Sequence, residues 1–402
     1  MVSVERIEEA RRAAQGIVQH TPLFPARMLS ELAGVPVWLK VESFQRTGSF
    51  KIRGAYEFLR RLPESVRARG VVTGSAGNHA QGLALAAKMF GVPATIFMPV
   101  FGSIAKMQAA KGYGAQVILQ GEGFAEAVEA AQRYAQETGA TYVPAYDHDD
   151  IICGQGTCGL EILEDLPEVE QIVVPVGGGG LFSGIAAAVK ARKPDVSLIG
   201  VQSEGAHTAV RSWREGRLVS DPVVRYTLAD GIAVKTPTER TFEYIRHYAD
   251  EMVTVDDRSI ARAVLWLMER KKVVVEGAGA VGVAAVQSGR VRLHGTTVIV
   301  VSGGNIDTKT LSDLIEREML QASRYYQFFT AVPDRPGGLA ALLQLVAQAQ
   351  GNIMTVHHNR IHPSVPHGWT GVELLLEVRD AEHIAQIHSV LRAAGYEVRV
   401  LQ

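Results

Sequence analysis

Residues 171–189 read QIVVPVGGGGLFSGIAAAV. The opening apolar run is of the kind that forms a parallel strand buried on both faces, and the closing stretch suits a helix. Between them stand four consecutive glycines, Gly177 to Gly180. Four glycines together make a poor strand and a poor helix, so the order predicted is strand, loop, helix. A loop of bare amides facing a helix N-terminus suits a phosphate, because unpaired N–H groups and the helix dipole both favour an anion there. The run lacks the lysine of a P-loop, and its spacing is not that of a dinucleotide fingerprint. A phosphate-bearing cofactor is favoured over a plain flexible turn.

The same alternation extends on both sides. Val71–Thr73, ATIFMP from Ala94, AQVILQ from Ala115, SLIGVQ from Ser197 and TTVIVV from Thr296 read as buried strands. Stretches such as FAEAVEAAQRYAQETG lie between them, with helical periodicity and a closing glycine. This predicts an α/β fold with a mostly parallel sheet, and ligands in such sheets sit where strand C-termini meet helix N-termini.

A chain of 402 residues exceeds one compact core. The formal net charge of −1 gives no whole-chain case for nucleic acid or an anionic membrane. Cys153 and Cys158 are too few for a disulfide framework and read as small buried side chains. The N-terminal stretch is charged and helix-like, unlike a signal peptide, and no apolar run is long enough to span a bilayer. A cytoplasmic setting is expected.

Near Leu320 the pattern changes. EREMLQASRYYQ shows no strand–helix alternation and reads as a linker helix. Beyond it, Leu339, Leu342, Leu343 and Val346 follow the spacing of an amphipathic helix after a Pro-Gly turn. NIMTVHHNRI and WTGVELLLEV read as strands, the second with Val372, Leu374, Leu376 and Val378 alternating. AEHIAQIHSVLRAAG and YEVRVL complete a β-α-β-β-α-β order. The expected division is 1–320, with a smaller subdomain at about 45–150 inserted in the larger, and a separate module at 325–402. The histidines at 357, 358, 362 and 367 read as solvated rather than metal-binding, and no spacing argues for zinc.

Four further places could carry chemistry. Lys51, in GSFKIRGA, precedes a helix-like segment; apolar neighbours such as Phe50 and Ile52 would lower its pKa toward that of a nucleophile. SAGNHAQG, Ser75 to Gly82, joins a strand to a helix and offers free amides to a carboxylate. Within it Asn78 could bond a phenolic or carbonyl oxygen, and His79 reads equally as acid, base or core side chain. Ser302, opening SGGN after a strand, could meet a ligand at the sheet edge. Glu276 reads as a helix cap or a site carboxylate.

Taken together, GSFKIRGA, TGSAGNHAQG, IICGQGT, VPVGGGGL, LADGIAV, VVEGAGAVG and VSGGNID resemble the fold-type II (tryptophan synthase β-like) pyridoxal-phosphate enzymes, and among them the threonine dehydratases. The resemblance covers nearly all of residues 1–320. The last module resembles an ACT domain, a ferredoxin-like α+β amino-acid sensor, through PDRPGGLA and its strand order.

The resemblance implies pyridoxal 5′-phosphate as cofactor, with Lys51 as its Schiff-base lysine and Phe50 beside the ring. It implies Asn78 at the ring's 3′ oxygen, Gly177, Gly178, Gly179, Gly180 and Leu181 around the phosphate, and Ser302 at the pyridine nitrogen with Glu276 nearby. Ser75, Ala76, Gly77, Asn78 and His79, helped by Gln155, would hold the substrate carboxylate. The implied reaction takes L-threonine to 2-oxobutanoate and ammonia, and L-serine to pyruvate. Lys51 would take the α-proton while the cofactor phosphate protonates the leaving hydroxyl.

The related serine racemases carry a serine where this chain has Ala76, which cannot deliver a proton, so little racemisation is expected. Their divalent-metal site needs an acid at the position of Val210, near the matching Glu204; a divalent ion is not expected, while a monovalent cation on backbone carbonyls is left open. The ACT-like module implies an amino-acid effector, isoleucine or valine first, in a closed homo-oligomer (dimer or tetramer) serving isoleucine biosynthesis. Dimerisation alone is its plainer role. Rival readings are a serine dehydratase or racemase of the same fold, a nicotinamide-dependent oxidoreductase, and a non-catalytic amino-acid sensor.

Overall fold

The computed structural model describes residues 1–401 apart from 103, 222–224 and 361–364, with only the backbone of 105. Two compact units result, Met1–Asp307 and Thr308–Gln402.

Among its described residues the first unit holds two sheets. One is formed by β1 (Leu23–Pro25), β2 (Val37–Val41), β7 (Gln171–Pro175), β8 (Ser197–Ser203), β9 (Glu251–Val255) and β10 (Thr297–Val301), in the order β1-β2-β10-β7-β8-β9. Only β1 runs antiparallel. The other, built from the chain between β2 and β7, is wholly parallel: β3 (Val71–Gly74), β4 (Ala94–Met98), β5 (Gln116–Leu119) and β6 (Thr141–Tyr142), ordered β5-β4-β3-β6. β3, β4, β7 and β10 are buried along their whole lengths, as their apolar runs require.

β2 and β9 escape a search for apolar runs because VWLKV and EMVTV carry polar residues. Lys40 of β2 is fully buried, its Nζ 2.7 Å from Glu161 Oε2. Arg53 lies beside it, donating to Glu42, Glu161 and Thr157. Arg53 and Lys40 hold the Glu161 carboxyl down at about 2 although burial pushes the other way. This network fastens the helix Lys51–Arg61 to the helix Asp149–Asp165. Cys153 and Cys158 are buried thiols of that second helix, and burial pushes the Cys153 thiol up to about 12.

In the second unit β11 (Tyr325–Pro333), β12 (Asn352–Asn359), β13 (Trp369–Glu377) and β14 (Arg399–Val400) form an antiparallel sheet ordered β12-β13-β11-β14. With the helices Gly338–Gln348 and Ala381–Ala393 this is a ferredoxin-like β-α-β-β-α-β unit. Leu342, Val346, Val372, Leu374 and Leu376 lie in its core. Two expectations are corrected. The helix Thr308–Gln321, placed with residues 1–320, groups with this unit because its chain turns directly into β11. Tyr325–Gln327 are not linker but the start of that strand, whose alternating burial runs its full length. His357 and His358 are exposed on β12, while His362 lies outside the described residues. Among the described residues no cluster could hold a metal ion, and no helix is long and apolar enough to cross a membrane.

Candidate active site

β2, β10 and β7 are parallel neighbours, so their C-terminal ends open onto one edge, with Val41 opposite Val301. The chain leaving β2 is stitched to the chain leaving β10: Phe50 N donates to Ser302 O at 3.2 Å and Gly304 N to Gly48 O at 2.8 Å. The glycine loop follows β7 on the same edge. A cavity there is lined by Phe50, Lys51, Asn78, Gln155, Gly177 to Leu181, Glu276 and Ser302, together with Ala145, Tyr146, Ile232 and others. A larger hollow of about 930 Å³ opens beside Arg11, Gln19 and Glu164; it contains neither Lys51 nor the glycine loop, and the chemistry gathers at the smaller one.

Lys51 is the first residue of its helix. Part of it faces the cavity, yet its amine sits deep enough that burial pushes the pKa down to about 8, with Glu276 opposing. Its Nζ donates to the Ala145 carbonyl at 2.9 Å and lies 5.0 Å from the Phe50 ring centre. Glu276 occupies the N-cap position of the helix Gly277–Gln287, but its side chain caps nothing. Instead Asn78 Nδ2 donates to its Oε1 at 2.6 Å, and Oε2 is buried without a partner. Burial, then Asp230, raises the Glu276 carboxyl to about 7 against Lys106, Asn78 and Lys51. Lys106, from the helix Ile104–Gly112, reaches Asp230 at 2.9 Å.

Glycine is dictated in the phosphate-like loop. Gly179 has φ +93 at the N-cap of the helix Gly180–Arg192, in the left-handed region. At Gly178 the obstacle is space, for a Cβ would stand 2.5 Å from Tyr146 Cγ. Gln155 is buried at the cavity wall with Oε1 unpartnered.

The substrate loop departs from expectation. Asn78 lines the cavity, but Ser75, Ala76, Gly77 and His79 do not. The Ser75 hydroxyl accepts from Gly77 N at 3.4 Å, so the loop folds on itself. His79 is the next residue on the helix Asn78–Phe90 and is turned away by the helical rotation. Its Nε2 meets the Val143 carbonyl at 3.1 Å, and burial, then Lys51, pushes it down to about 3. Of the readings left open for His79, the neutral core histidine fits. Glu204 accepts from Arg290 at 3.1 Å, and Val210 is buried.

Sequence reasoning missed Ala145, Tyr146 and Lys106, and gave no role to Ile232 or Asn305 although LADGIAV and VSGGNID contain them. Ala145 contributes a backbone carbonyl, which no residue type announces. Tyr146 stands shortly after β6, a two-residue strand too short to read.

The arrangement fits pyridoxal phosphate: a partly desolvated lysine, a glycine cradle at a helix start, and unpartnered acceptors on Glu276 and Gln155 between them. Residues 14–303 match the family model described as pyridoxal-phosphate dependent enzyme. The L-threonine ammonia-lyases of Thermotoga maritima and Geobacter sulfurreducens are 49% and 46% identical over 402 and 403 residues, covering all of both chains. The crystal structure of T.th. threonine deaminase is 37% identical, covering 76% of this chain and 99% of that one, with a TM-score of 0.72. Maize serine racemase is 34% identical, covering 80% and 98%, with a TM-score of 0.75. Cofactor-type geometry and full-length likeness agree: the chain belongs to the pyridoxal-phosphate-dependent enzymes, in their threonine ammonia-lyase branch.

Proposed function

We propose that this protein deaminates L-threonine to 2-oxobutanoate and ammonia, and accepts L-serine, giving pyruvate. The observation that carries the reading is the lowered amine of Lys51 in one cavity with the glycine loop. The full-length likeness to two L-threonine ammonia-lyases supports the substrate. Threonine and serine differ by one methyl, worth about 1–3 kcal/mol in a pocket, so serine is expected to turn over alongside threonine at a different rate.

Pyridoxal phosphate, when bound, supplies the electron sink for breaking bonds at the substrate's α-carbon. Lys51 would hold it covalently, Gly177–Leu181 its phosphate, and Asn78, Glu276 and Ser302 its ring. Released when the substrate amine takes its place, Lys51 would be a free amine with a pKa lowered to about 8, partly neutral at physiological pH and so able to take the α-proton. Gln155, with the amides near Asn78, would hold the substrate carboxylate. Ala76 offers no second proton carrier, which favours elimination over racemisation. The ferredoxin-like unit is read as an ACT module binding isoleucine or valine in a homo-oligomer.

The test is 2-oxo acid release from threonine by wild type and Lys51→Ala, with and without isoleucine or valine. Wild-type turnover abolished by Lys51→Ala is expected. Turnover surviving in Lys51→Ala would overturn the role of Lys51, and no turnover by wild type carrying the cofactor would overturn the activity. Rates indifferent to both amino acids would overturn the regulatory reading alone.

A further inference from the structure

We infer that Asn305 is a positioning residue that fixes which end of the Asn78 amide faces the cofactor. The inference rests on the reading above in which Asn78 donates to the cofactor's ring oxygen.

The orientation starts at a group that cannot reverse. The Thr47 carbonyl can only accept, and Asn305 Nδ2 donates to it at 2.7 Å. The same nitrogen donates its other hydrogen to Asn78 Oδ1 at 2.7 Å. Both hydrogens of the Asn305 amide are then used. Asn78 must turn its own nitrogen the other way, where one hydrogen goes to Glu276 Oε1 at 2.6 Å. The second hydrogen is left for a ligand on the cavity side, since Asn78 lines the cavity. If the Asn78 amide reversed, a carbonyl oxygen would oppose the cofactor's ring oxygen.

Glu276 alone cannot impose that direction. A carboxylate demands the N–H end of Asn78, whereas a protonated carboxyl can donate to the O end, and Glu276 titrates at about 7. The groups acting on it are Lys51, Asn78, Lys106 and Asp230. The backbone carbonyl of Thr47 does not titrate, and Asn305 carries its direction to Asn78.

The surrounding chain is shaped for this side chain. Gly304 N donates to Gly48 O at 2.8 Å, and Ser49 bridges Gly303, so Asn305 lies across the turn that precedes Lys51. Gly48 has φ +69, and a Cβ there would stand 3.0 Å from Asn305 Cγ and overlap its oxygen. The turn thus leaves an opening that the Asn305 amide occupies.

The test compares Asn78→Ala, Asn305→Ala, the isosteric Asn305→Asp and the double variant Asn78→Ala/Asn305→Ala. Each is read by the pyridoxal-phosphate dissociation constant of the stripped protein and by the pH midpoint of the bound cofactor's absorbance. A lost hydrogen bond of about 1 kcal/mol corresponds to roughly five-fold weaker binding. Asn305→Ala and Asn305→Asp are expected to weaken binding by about that factor and to move the midpoint in the direction Asn78→Ala moves it. In the Asn78→Ala background, removing Asn305 should add less than about two-fold, because its effect passes through Asn78. Equal losses in both backgrounds, or an unmoved midpoint in the Asn305 variants, would overturn the inference and leave the Asn78 reading standing. An Asn78→Ala variant with unchanged affinity and midpoint would overturn that reading, and the inference with it. Should Asn305→Ala fail to fold, Asn305→Asp carries the comparison, since it keeps the shape and removes the donor.

Discussion

Gly178→Ala isolates the requirement for a bare phosphate loop. Gly178 has no positive φ, so alanine introduces no backbone strain and the effect is purely steric. The new methyl would lie 2.5 Å from Tyr146 Cγ, with two other ring atoms nearer still. Carbon atoms prefer about 3.5–4.0 Å, so the ring or the loop must yield by roughly 1 Å. Overpacking of this kind costs about 1–3 kcal/mol. If the loop yields, its amides leave their common focus and the cost appears in cofactor binding, as a loss of about 5- to 150-fold. Titration of the stripped protein with pyridoxal phosphate, beside a thermal melt, measures both quantities. Tyr146→Ala in the same chain removes the obstacle and should restore most of the lost affinity. Affinity within two-fold of wild type in Gly178→Ala, with an unchanged melting temperature, would refute the steric account.

Two other substitutions test buried charge. Glu161→Gln should cost about 3 kcal/mol near neutral pH by removing one of the two carboxylates that hold Arg53 and the nearer carboxylate of Lys40, leaving them only Glu42 and, at 3.5 Å, Asp165. The folded carboxyl is depressed, so its contribution is full above about 4.5 and lost as pH falls toward about 2; the difference from wild type in denaturant melts should shrink over that interval, and a constant difference would count against the pairing. Glu276→Gln in the stripped protein has the opposite sign. Its folded carboxyl is raised, so the wild type loses stability as pH climbs from about 4.5 through about 7, by roughly 3 kcal/mol. The variant should therefore melt progressively higher than wild type between pH 5 and pH 8, and parallel melting curves would reject the burial argument.

The parts of this protein legible in its sequence are those where residue type alone limits the backbone. Four successive glycines disfavour a strand or helix running through them, and only the last, Gly180, joins a helix, as its first residue; apolar runs such as those of β7 and β10 have no stable place except a buried sheet. Alternation in β13 identified the inner face of the second unit for the same reason. Legibility ends where a group's meaning depends on a partner distant in the chain. Lys40 looks like a surface lysine until Glu161, far along the chain, is brought against it; its charge therefore concealed β2. Asn78 and His79 are adjacent and both suit a polar site, and composition cannot rank them. Helix geometry sends one to the cavity and the other to the Val143 carbonyl.

The same limit explains why the lysine loop could be recognised by its residues but not explained by them. GSFKIRGA places Lys51 at a helix start, yet a lysine there is ordinarily solvated. Its low pKa comes from burial among parts of the chain distant in sequence, against the opposing charge of Glu276, while the Ala145 carbonyl orients the amine. Arg53 lies two residues beyond Lys51 on the same helix, clamped between Glu42 and Glu161. An arginine held by two carboxylates cannot rotate or translate its helix without leaving a buried charge unpaired, at a cost of several kcal/mol. The charge network thus sets the register of the helix start, and the helix start sets where the Lys51 amine emerges. Sequence proximity within GSFKIRGA has a mechanical basis: the lysine that lines the cavity stands two residues before the arginine that fixes its position.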